Sequence, residues 1–288
     1  MQQRLFRQID VFSHHPGFGN PVAVVLDAQG LSDADMRRFA AWTNLSETTF
    51  LMPPTAAGHA AGADYRLRIF SPRGELPFAG HPTLGTCRAW LQQGHTPRVP
   101  GLVVQEAAQG LVQIEHQGDT LAFAAPPLQC SKPSPALVPL VASALGLRPH
   151  QIQAAQLLDN GPVWLGLLLD SAETVLGLTP DHARLKDLGQ DVGVIHIAPD
   201  AGANPERPGA VVRAFAAPMG NPEDPVTGSL NASLAQWLIA EGLAPTRYLV
   251  AQGECLGRAG RVYIRQDAQG QVWVGGHTVT CIEGTALL

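Results

Sequence analysis

Two short loops that contain proline and glycine hold the residues best suited to binding a small molecule. They are residues 80–85 (GHPTLG) and residues 224–229 (DPVTGS), and a helix-like run follows each. A helix start presents unpaired backbone N–H groups and the positive end of the helix dipole, so it favours a carboxylate or a phosphate. Gly80, Gly85 and Gly228 lack a Cβ, which lets the backbone approach a ligand closely. We therefore expect a small carboxylic acid here, although proline near a helix start is also ordinary capping.

Three titratable side chains lie where a proton transfer would need them: His81, Asp224 and Glu47. His81 and Asp224 stand at equivalent positions before the two helices, and as a pair facing one cleft they could hydrogen-bond a substrate or relay a proton. Residues 45–52 are predicted to form a strand, which places Glu47 on an otherwise apolar face. A carboxylate there is either a tuned general base or a buried, hydrogen-bonded structural residue. The strand pattern leaves both interpretations open.

The second half of the chain repeats the order of motifs in the first half. Pro82 and Pro225 are 143 residues apart (225 − 82), and Arg68 and Arg213 are 145 apart (213 − 68). Two further pairs of segments match in the same order: 19–27 with 160–170, and 50–53 with 196–199. Four matches in one order predict a duplicated unit.

The predicted unit consists of several strands around one main helix. In the first half we expect strands at residues 22–26, 45–52 and 65–70. Ser32 and Asp35 have the spacing of a capping box, which predicts a helix to about Trp42. The main helix is expected at residues 83–92 and is ended by Gly94.

The domain limits follow from the repeat. We place the N-terminal half at residues 1–128 and the C-terminal half at 129–275. Residues 126–136, which are rich in proline, form the expected hinge. The last residues, 276–288, are expected to return to the N-terminal half.

Composition excludes several classes of protein. Of 288 residues, 45% are hydrophobic and 15% are charged, which is unlike a disordered chain. The net charge of −5 leaves no basic patch for nucleic acid, and no apolar run is long enough to span a membrane. We expect a cytoplasmic protein that binds neither nucleic acid nor membrane.

The residues that commonly hold cofactors are poorly placed in this sequence. The two lysines, Lys132 and Lys186, lie in polar stretches, which argues against a pyridoxal phosphate Schiff base. The ten histidines lack the spacing of metal ligands, and the four cysteines are expected to be free thiols. We therefore expect no cofactor and no metal.

Four motifs together resemble the PhzF-like isomerase/epimerase family of phenazine biosynthesis. They are residues 19–24 (GNPVAV), 44–50 (NLSETTF), 78–85 (FAGHPTLG) and 223–229 (EDPVTGS). The resemblance runs in order to residues 272–277 and so covers nearly the whole chain. It implies an α+β protein with the diaminopimelate epimerase-like fold, in which two pseudo-symmetric domains each wrap a curled, mainly antiparallel sheet around a central helix. It also implies a homodimer.

The same resemblance implies roles for individual residues. Glu47 would be the acid/base, His81 and Asp224 would line the site, and loop amides at Gly80, Gly228 and Ser229 would hold the substrate carboxylate. Asn20 and Ser46, which lie within the same motifs, are expected to contact the substrate. The chain departs from diaminopimelate epimerase and proline racemase, since those similar proteins place a pair of cysteines at the two helix starts and this chain has none there.

Three hypotheses for function follow. The first is a cofactor-independent isomerase of a small carboxylic acid, in which Glu47 moves a proton from one carbon to another. The second is a single-carbon epimerase, which needs a second base such as Asp224 or His81. The third is a catalytically silent binding protein of the same fold.

Overall fold

The structure is a computed structural model that describes residues 2–288, and its contacts divide the chain into two units. Unit 1 contains the chain up to Ala124 together with Gly275–Leu288, and unit 2 is Ala125–Val274. The division falls four residues before the expected limit at residue 128 (128 − 124). The expected hinge at residues 126–136 lies in unit 2 and is not a plain linker, because it includes a strand that pairs with the sheet.

Strands and helices alternate along both units. The strands up to Ala124 are β1 (Gln3–Val11), β2 (Asn20–Val25), β3 (Thr48–Met52), β4 (Tyr65–Ser71), β5 (Gly74–Leu76), β6 (Leu102–Ala107), β7 (Gly110–Gln117) and β8 (Thr120–Ala124). The strands that follow are β9 (Gln129–Ser131), β10 (Ile152–Asp159), β11 (Val163–Leu169), β12 (Asp191–Ile197), β13 (Ala210–Ala216), β14 (Asn221–Asp224), β15 (Arg247–Gln252), β16 (Gly260–Gln266) and β17 (Val272–Leu287). The α-helices are α1 (Asp33–Thr43), α2 (Ala56–Ala60), α3 (Gly80–Gln92), α4 (Leu137–Leu145), α5 (Ala172–Leu176), α6 (His182–Leu188) and α7 (Gly228–Ala240). Within residues 2–288, no helix is both long enough and apolar enough to cross a membrane.

The strands pair in the same order in both units. In unit 1, β1 is antiparallel to β2, β2 is parallel to β3, and β3 is antiparallel to β4. Strand β4 is antiparallel to β5 and parallel to β6, which is antiparallel to β7. In unit 2 the same succession of pairings joins β10, β11, β12, β13, β14, β15 and β16. The C-terminal part of β17 pairs with β1, and β9 pairs with β10. The architecture is α+β, with a mainly antiparallel sheet in each unit.

Each unit has one helix that is buried on nearly every side. In α3 the residues from Gly80 to Trp90 are buried, and most of α7 is buried as well. A helix without a polar face has to be surrounded by other elements, here by the curled sheet. Close approach of helix and sheet depends on glycine, because a Cβ on Gly85 would overlap Val22 of β2. Gly85 therefore serves packing, whereas the sequence had suggested close approach to a ligand.

The outer face of each sheet packs against short helices. In unit 1, Phe50 and Phe70 pack against Met36 and Ala40 of α1. The capping box at the start of α1 is confirmed, since Ser32 accepts from the backbone N–H of Asp35 and the Asp35 side chain accepts from Ser32. In unit 2, α4, α5 and α6 cover the corresponding face.

One arginine in each unit, on β4 or on β13, holds a glutamate from the next strand. Arg68 of β4 binds Glu75 through Nε and Nη2 at 2.7 and 2.6 Å, and Arg213 of β13 binds Glu223 at 2.9 and 2.8 Å. Each guanidinium also lies over the phenylalanine ring two residues later in the chain. The repeated arginines seen in the sequence therefore make equivalent structural ion pairs.

The alignment of the two loops needs a correction. Helices α3 and α7 begin at Gly80 and Gly228 and each contain 13 residues, so equivalent helix positions are 148 residues apart (228 − 80). Pro82 lies inside its helix, whereas Pro225 precedes its helix, and the two prolines are not equivalent. The predicted strand at residues 45–52 begins only at Thr48, because Asn44 ends α1 in the left-handed conformation and residues 45–47 lead into the sheet.

Candidate active site

Glu47 is held at the end of β3 next to the start of α3. Its carbonyl accepts a hydrogen bond from the Ala23 N–H at 3.4 Å, which ties this residue to β2. Thr49, two residues later, accepts a hydrogen bond from Thr86 of α3, so this side of β3 is the side that packs against the central helix. Glu47 lies on the same side through its contact with His81 of α3, although it precedes the strand that was expected to contain it. Its side chain is 16% exposed.

His81 lies beside Glu47 in the first turn of α3. The distance from His81 Nε2 to Glu47 Oε2 is 3.2 Å, and the histidine is buried. Burial lowers the pKa of His81 to about 3, against a hydrogen bond to the Pro21 backbone that raises it. The imidazole is therefore neutral near pH 7, with one donor and one acceptor nitrogen.

Asn20 contacts the other ring nitrogen of His81. The distance between Asn20 Nδ2 and His81 Nδ1 is 3.3 Å, and Asn20 is fully buried at the start of β2. When the amide nitrogen donates to Nδ1, the ring proton is on Nε2, the nitrogen that lies 3.2 Å from Glu47 Oε2. This arrangement places a carboxylate beside a neutral imidazole.

The remaining predicted residues of unit 1 adjoin this group. Ser46 is half-buried directly before Glu47, and Gly80 is the first residue of α3. The residue before it, Ala79, has no side chain that could cap the helix, so the first N–H groups of α3 donate no hydrogen bond to an N-cap side chain. Unit 1 thus brings together Asn20, Ser46, Glu47, Gly80 and His81.

The predicted residues of unit 2 form a separate network around the start of α7. Asp224 ends β14, and its Oδ2 accepts from Thr227 Oγ1 at 2.5 Å while its Oδ1 accepts from Asn221 Nδ2 at 3.2 Å. Gln252 of β15 donates to the Asp224 carbonyl at 3.2 Å. Asp224 is buried, and these hydrogen bonds fix the chain that leads into α7. Asp224 is not the equivalent of His81, because it lies four residues before its helix (228 − 224).

Gly228 and Ser229 are the first two residues of α7, and Ser229 is the helical equivalent of His81. The carbonyl of Ser229 accepts a hydrogen bond from Asn160 Nδ2 at 3.0 Å. Asn160 therefore contacts the second residue of its helix, as Asn20 does in unit 1. Sequence analysis did not include Asn160 in the site, although the matched segments 19–27 and 160–170 contained the signal.

Two buried glutamines were also missed. Gln105 of β6 donates to Thr83 of α3 at 3.1 Å, and Gln252 of β15 accepts from Asn231 of α7 at 2.8 Å. Each glutamine ties the fourth residue of its central helix to a strand, which is β6 in unit 1 and β15 in unit 2. No short motif accompanies them, so only the tertiary structure identifies them. Within residues 2–288, no group of three or more histidine, cysteine, aspartate or glutamate residues is placed to hold a metal ion.

Comparison with known proteins gives the family. The family described as phenazine biosynthesis-like protein matches residues 9–284. The chain belongs to this family. The trans-2,3-dihydro-3-hydroxyanthranilate isomerase of Pseudomonas aeruginosa is 33% identical over 97% of this chain and 98% of its own. Antisense-enhancing sequence 1 of Schizosaccharomyces pombe is 34% identical over 100% of both chains.

Solved structures show the same fold. A phenazine biosynthesis protein of the PhzF family from Bacillus anthracis superposes with a TM-score of 0.83 over 100% of both chains, at 22% identity. A hydroxyproline epimerase from Agrobacterium vitis gives a TM-score of 0.62 over 98% of this chain and 92% of that one, at 15% identity. The PhzF-like chain therefore has the diaminopimelate epimerase-like fold, and its relatives make it an isomerase or epimerase. The expected homodimer and cytoplasmic location stay predictions.

Proposed function

We propose that this PhzF-like protein is a cofactor-independent isomerase of a small carboxylic acid, with Glu47 as its general acid/base. The observation that carries the proposal is the contact of 3.2 Å between Glu47 and His81 at the first turn of α3. The Glu47 side chain is mostly removed from water, and a carboxylate can act as a general base where its site excludes water.

The proton balance of the reaction is simple. Glu47 takes a proton from an activated carbon of the acid and returns it to another carbon of the same conjugated system. Neutral His81 lies against the Glu47 carboxylate and limits its movement, while Asn20 orients the ring. The free N–H groups at the helix start bind the substrate carboxylate. Within unit 2, Asp224 and Ser229 shape the start of α7.

The neutral state of His81 bears on the epimerase alternative. A group whose pKa is about 3 is a poor proton acceptor near pH 7. His81 therefore does not supply the second base of a single-carbon epimerase. The isomerase hypothesis needs only Glu47 and is the one we prefer.

The test replaces Glu47 with glutamine, which keeps the volume but cannot act as a base. Purified protein is incubated in heavy water with trans-2,3-dihydro-3-hydroxyanthranilate and with a series of other small carboxylic acids, and product and deuterium are followed by mass spectrometry. Glu47→Gln should lower turnover by about 10²–10⁴-fold, the usual contribution of a general acid/base. The matched control is Glu173→Gln, at an exposed position of α5, which should keep full activity.

Different results separate the hypotheses. A proton moved between carbons indicates an isomerase, whereas exchange with inversion at one carbon indicates an epimerase. If Glu47→Gln keeps more than half of the activity of the unsubstituted protein, Glu47 is not the base. If no acid in the series gains deuterium or changes, the silent binding protein becomes the better hypothesis.

A further inference from the structure

Unit 1 has a second cavity, at the C-terminal end of α3. The strands of this unit close into a ring around the helix, because β17 pairs with both β1 and β8. Helix α3 ends at Gln92, and residues 93–101 then lead to β6. The cavity lies at this end of the helix and has a volume of about 610 Å³. Pockets for small molecules commonly measure about 300–1,000 Å³ and occur in the mouths of barrels, so its size and place suit such a ligand.

The last turns of α3 form one wall of the cavity. Arg88, Leu91 and Gln92 line it, and residues three and four apart share one face of a helix. The segment that follows the helix adds Pro97 and Pro100 to the lining. The wall therefore combines a positive charge and an amide with apolar surface.

Arg88 presents a buried charge that the protein pairs only in part. Its side chain is 10% exposed. Its Nε donates to Thr278 Oγ1 at 2.7 Å and its Nη2 donates to the Asp119 carbonyl at 2.8 Å. The Asp119 carboxylate lies 3.4 Å from Nη2 but is 86% exposed, so water screens its charge. Within residues 2–288, Nη1 donates no hydrogen bond, and it is the guanidinium nitrogen left for a ligand.

Gln92 offers a second donor, one helical turn after Arg88. Its Oε1 accepts from Arg7 Nη1 at 3.3 Å and from Thr280 Oγ1 at 2.7 Å. Because a guanidinium can only donate, the amide oxygen is the atom that faces Arg7, and the amide nitrogen is directed elsewhere. This nitrogen donates no hydrogen bond within residues 2–288. Arg88 and Gln92 thus supply two donors from one face of the helix.

The charges around the cavity favour an anion with a single negative charge. Of the described residues that line it, Arg88, His95 and His116 are titratable and none is acidic. Carbonyl groups at a helix end carry partial negative charge, but in the last turn of α3 they accept from Arg7 and from the N–H groups of residues 93 and 94. One permanent positive charge matches one carboxylate, and the apolar lining suits a ligand with an apolar body.

We propose that this cavity binds a small organic monocarboxylate with an apolar body. Arg88 Nη1 and the amide nitrogen of Gln92 donate to the carboxylate oxygens, and Leu91, Pro97 and Pro100 contact the body. The binding requires no covalent step. Gln92 lies 11 residues after His81 (92 − 81), about 16 Å along the helix, so this site is separate from the one proposed for catalysis. The inference does not rest on the proposed function.

The first test locates a probe in the full chain. The probe is 4-bromobenzoate, an aromatic monocarboxylate whose bromine is identified in crystals by anomalous scattering. We expect bromine in the cavity, with the carboxylate at Arg88 and Gln92. Absence of bromine from the cavity at a saturating concentration of the probe overturns the site. A bound probe whose carboxylate points away from Arg88 overturns it as well.

The second test compares the Kd of the probe between matched variants by calorimetry. Gln92→Glu keeps the size of the side chain and an acceptor for Arg7, but it puts a negative charge in place of the donor beside Arg88. Its Kd should be at least about tenfold higher than that of the unsubstituted protein. Gln93→Glu is the control, because it makes the same change of charge at a neighbouring residue that does not line the cavity, and its Kd should be unchanged. Equal Kd values in Gln92→Glu and Gln93→Glu overturn the proposal.

An uncharged probe tests the role of Arg88 without altering the protein. 4-Bromobenzamide has nearly the shape of 4-bromobenzoate but no charge, and its Kd should be at least about tenfold higher. Equal affinity for the two probes overturns the proposal, as does absence of measurable binding of 4-bromobenzoate. Glu47→Gln should bind the probe in the cavity normally. A failure of the proposed catalytic role is therefore seen in turnover, and a failure of this site is seen in the bromine position and the Kd.

Discussion

At the scale of single residues, burial determines which side chains keep their protons. His81 and Asp191 are both withdrawn from water, and both are shifted towards their neutral forms: the pKa of His81 is lowered and that of Asp191 is raised. His81 is therefore neutral near pH 7 and can lie beside a carboxylate without neutralising it, whereas Asp191 becomes neutral only below about pH 6. The same physical cause thus shifts a base and an acid in opposite directions.

Asp191 should make stability depend on pH. Its pKa is about 6 in the folded protein against an ordinary value of 3.8. Between these values the folded state keeps a proton that the unfolded state has lost, so the free energy of unfolding falls as pH rises through this window. Asp191→Asn removes this loss and should be more stable than the unsubstituted protein at pH 8, by about 1–2 kcal/mol after allowance for the partial exposure of Asp191.

The measurement is urea unfolding at pH 4 and pH 8. The stabilisation by Asp191→Asn should be much smaller at pH 4, where Asp191 of the unsubstituted protein is protonated in the folded state and about half protonated in the unfolded state. His81 has the opposite effect, since stability is lost as pH falls below its ordinary pKa of 6.5, but this term is the same in both proteins and cancels. An equal difference at the two pH values contradicts the assignment.

At the scale of elements, the position of the active residues depends on how closely a helix can approach a sheet. Helix α3 brings His81 to Glu47 only because Gly85 lets it lie against Val22 of β2. Unit 2 has the reverse arrangement, because the glycine is on the strand and the large side chain, Leu230, is on the helix. Small residues at these contacts set the distance between the helix and the sheet.

Gly85→Ala should therefore move α3 away from β2. Alanine has the higher helix propensity, but its Cβ would overlap a buried side chain, and overpacking typically costs about 1–3 kcal/mol. We expect a lower free energy of unfolding in urea together with a reduced turnover, because the contact between His81 and Glu47 lengthens. Gly284→Ala is the matched control, since a Cβ there meets no atom within 4 Å. A variant Gly85→Ala as stable as Gly284→Ala would contradict this account.

At the scale of the whole molecule, duplication has preserved the pairing order of the strands while the surroundings of equivalent residues have changed. The ion pair of Arg213 and Glu223 is almost fully buried, with side-chain exposures of 6% and 8%. In the equivalent pair of unit 1, Arg68 is 14% and Glu75 is 31% exposed. The arginine–glutamate ion pair should therefore contribute a different amount to the free energy of unfolding in each unit.

Glu223→Gln should destabilise the protein more than Glu75→Gln. Removing one partner of a buried ion pair leaves an uncompensated charge and costs about 3–5 kcal/mol, whereas a pair near the surface is worth about 1 kcal/mol or less. Urea unfolding of both variants under one set of conditions provides the comparison. Equal losses of unfolding free energy in the two variants would show that burial does not determine how much these ion pairs contribute to stability.

Much of this protein was predictable from sequence because the relevant interactions are local. The capping box at Ser32, the strand at Tyr65 and the repeated order of motifs depend on neighbouring residues, and all are present in the structure. The inner-face position of Glu47 also follows from strand alternation. Family motifs identified the isomerase/epimerase family without any three-dimensional information.

Tertiary structure alone decided the helix starts, the true alignment of the two units and the charge states of the buried groups. Pro82 and Pro225 look equivalent in the sequence. The helices begin at Gly80 and Gly228, however, where the sheet can surround each helix. Asp191 has no sequence signal, because its altered pKa depends on burial. Register and burial arise from contacts between distant segments, and a pattern of neighbouring residues cannot encode which distant segments will meet.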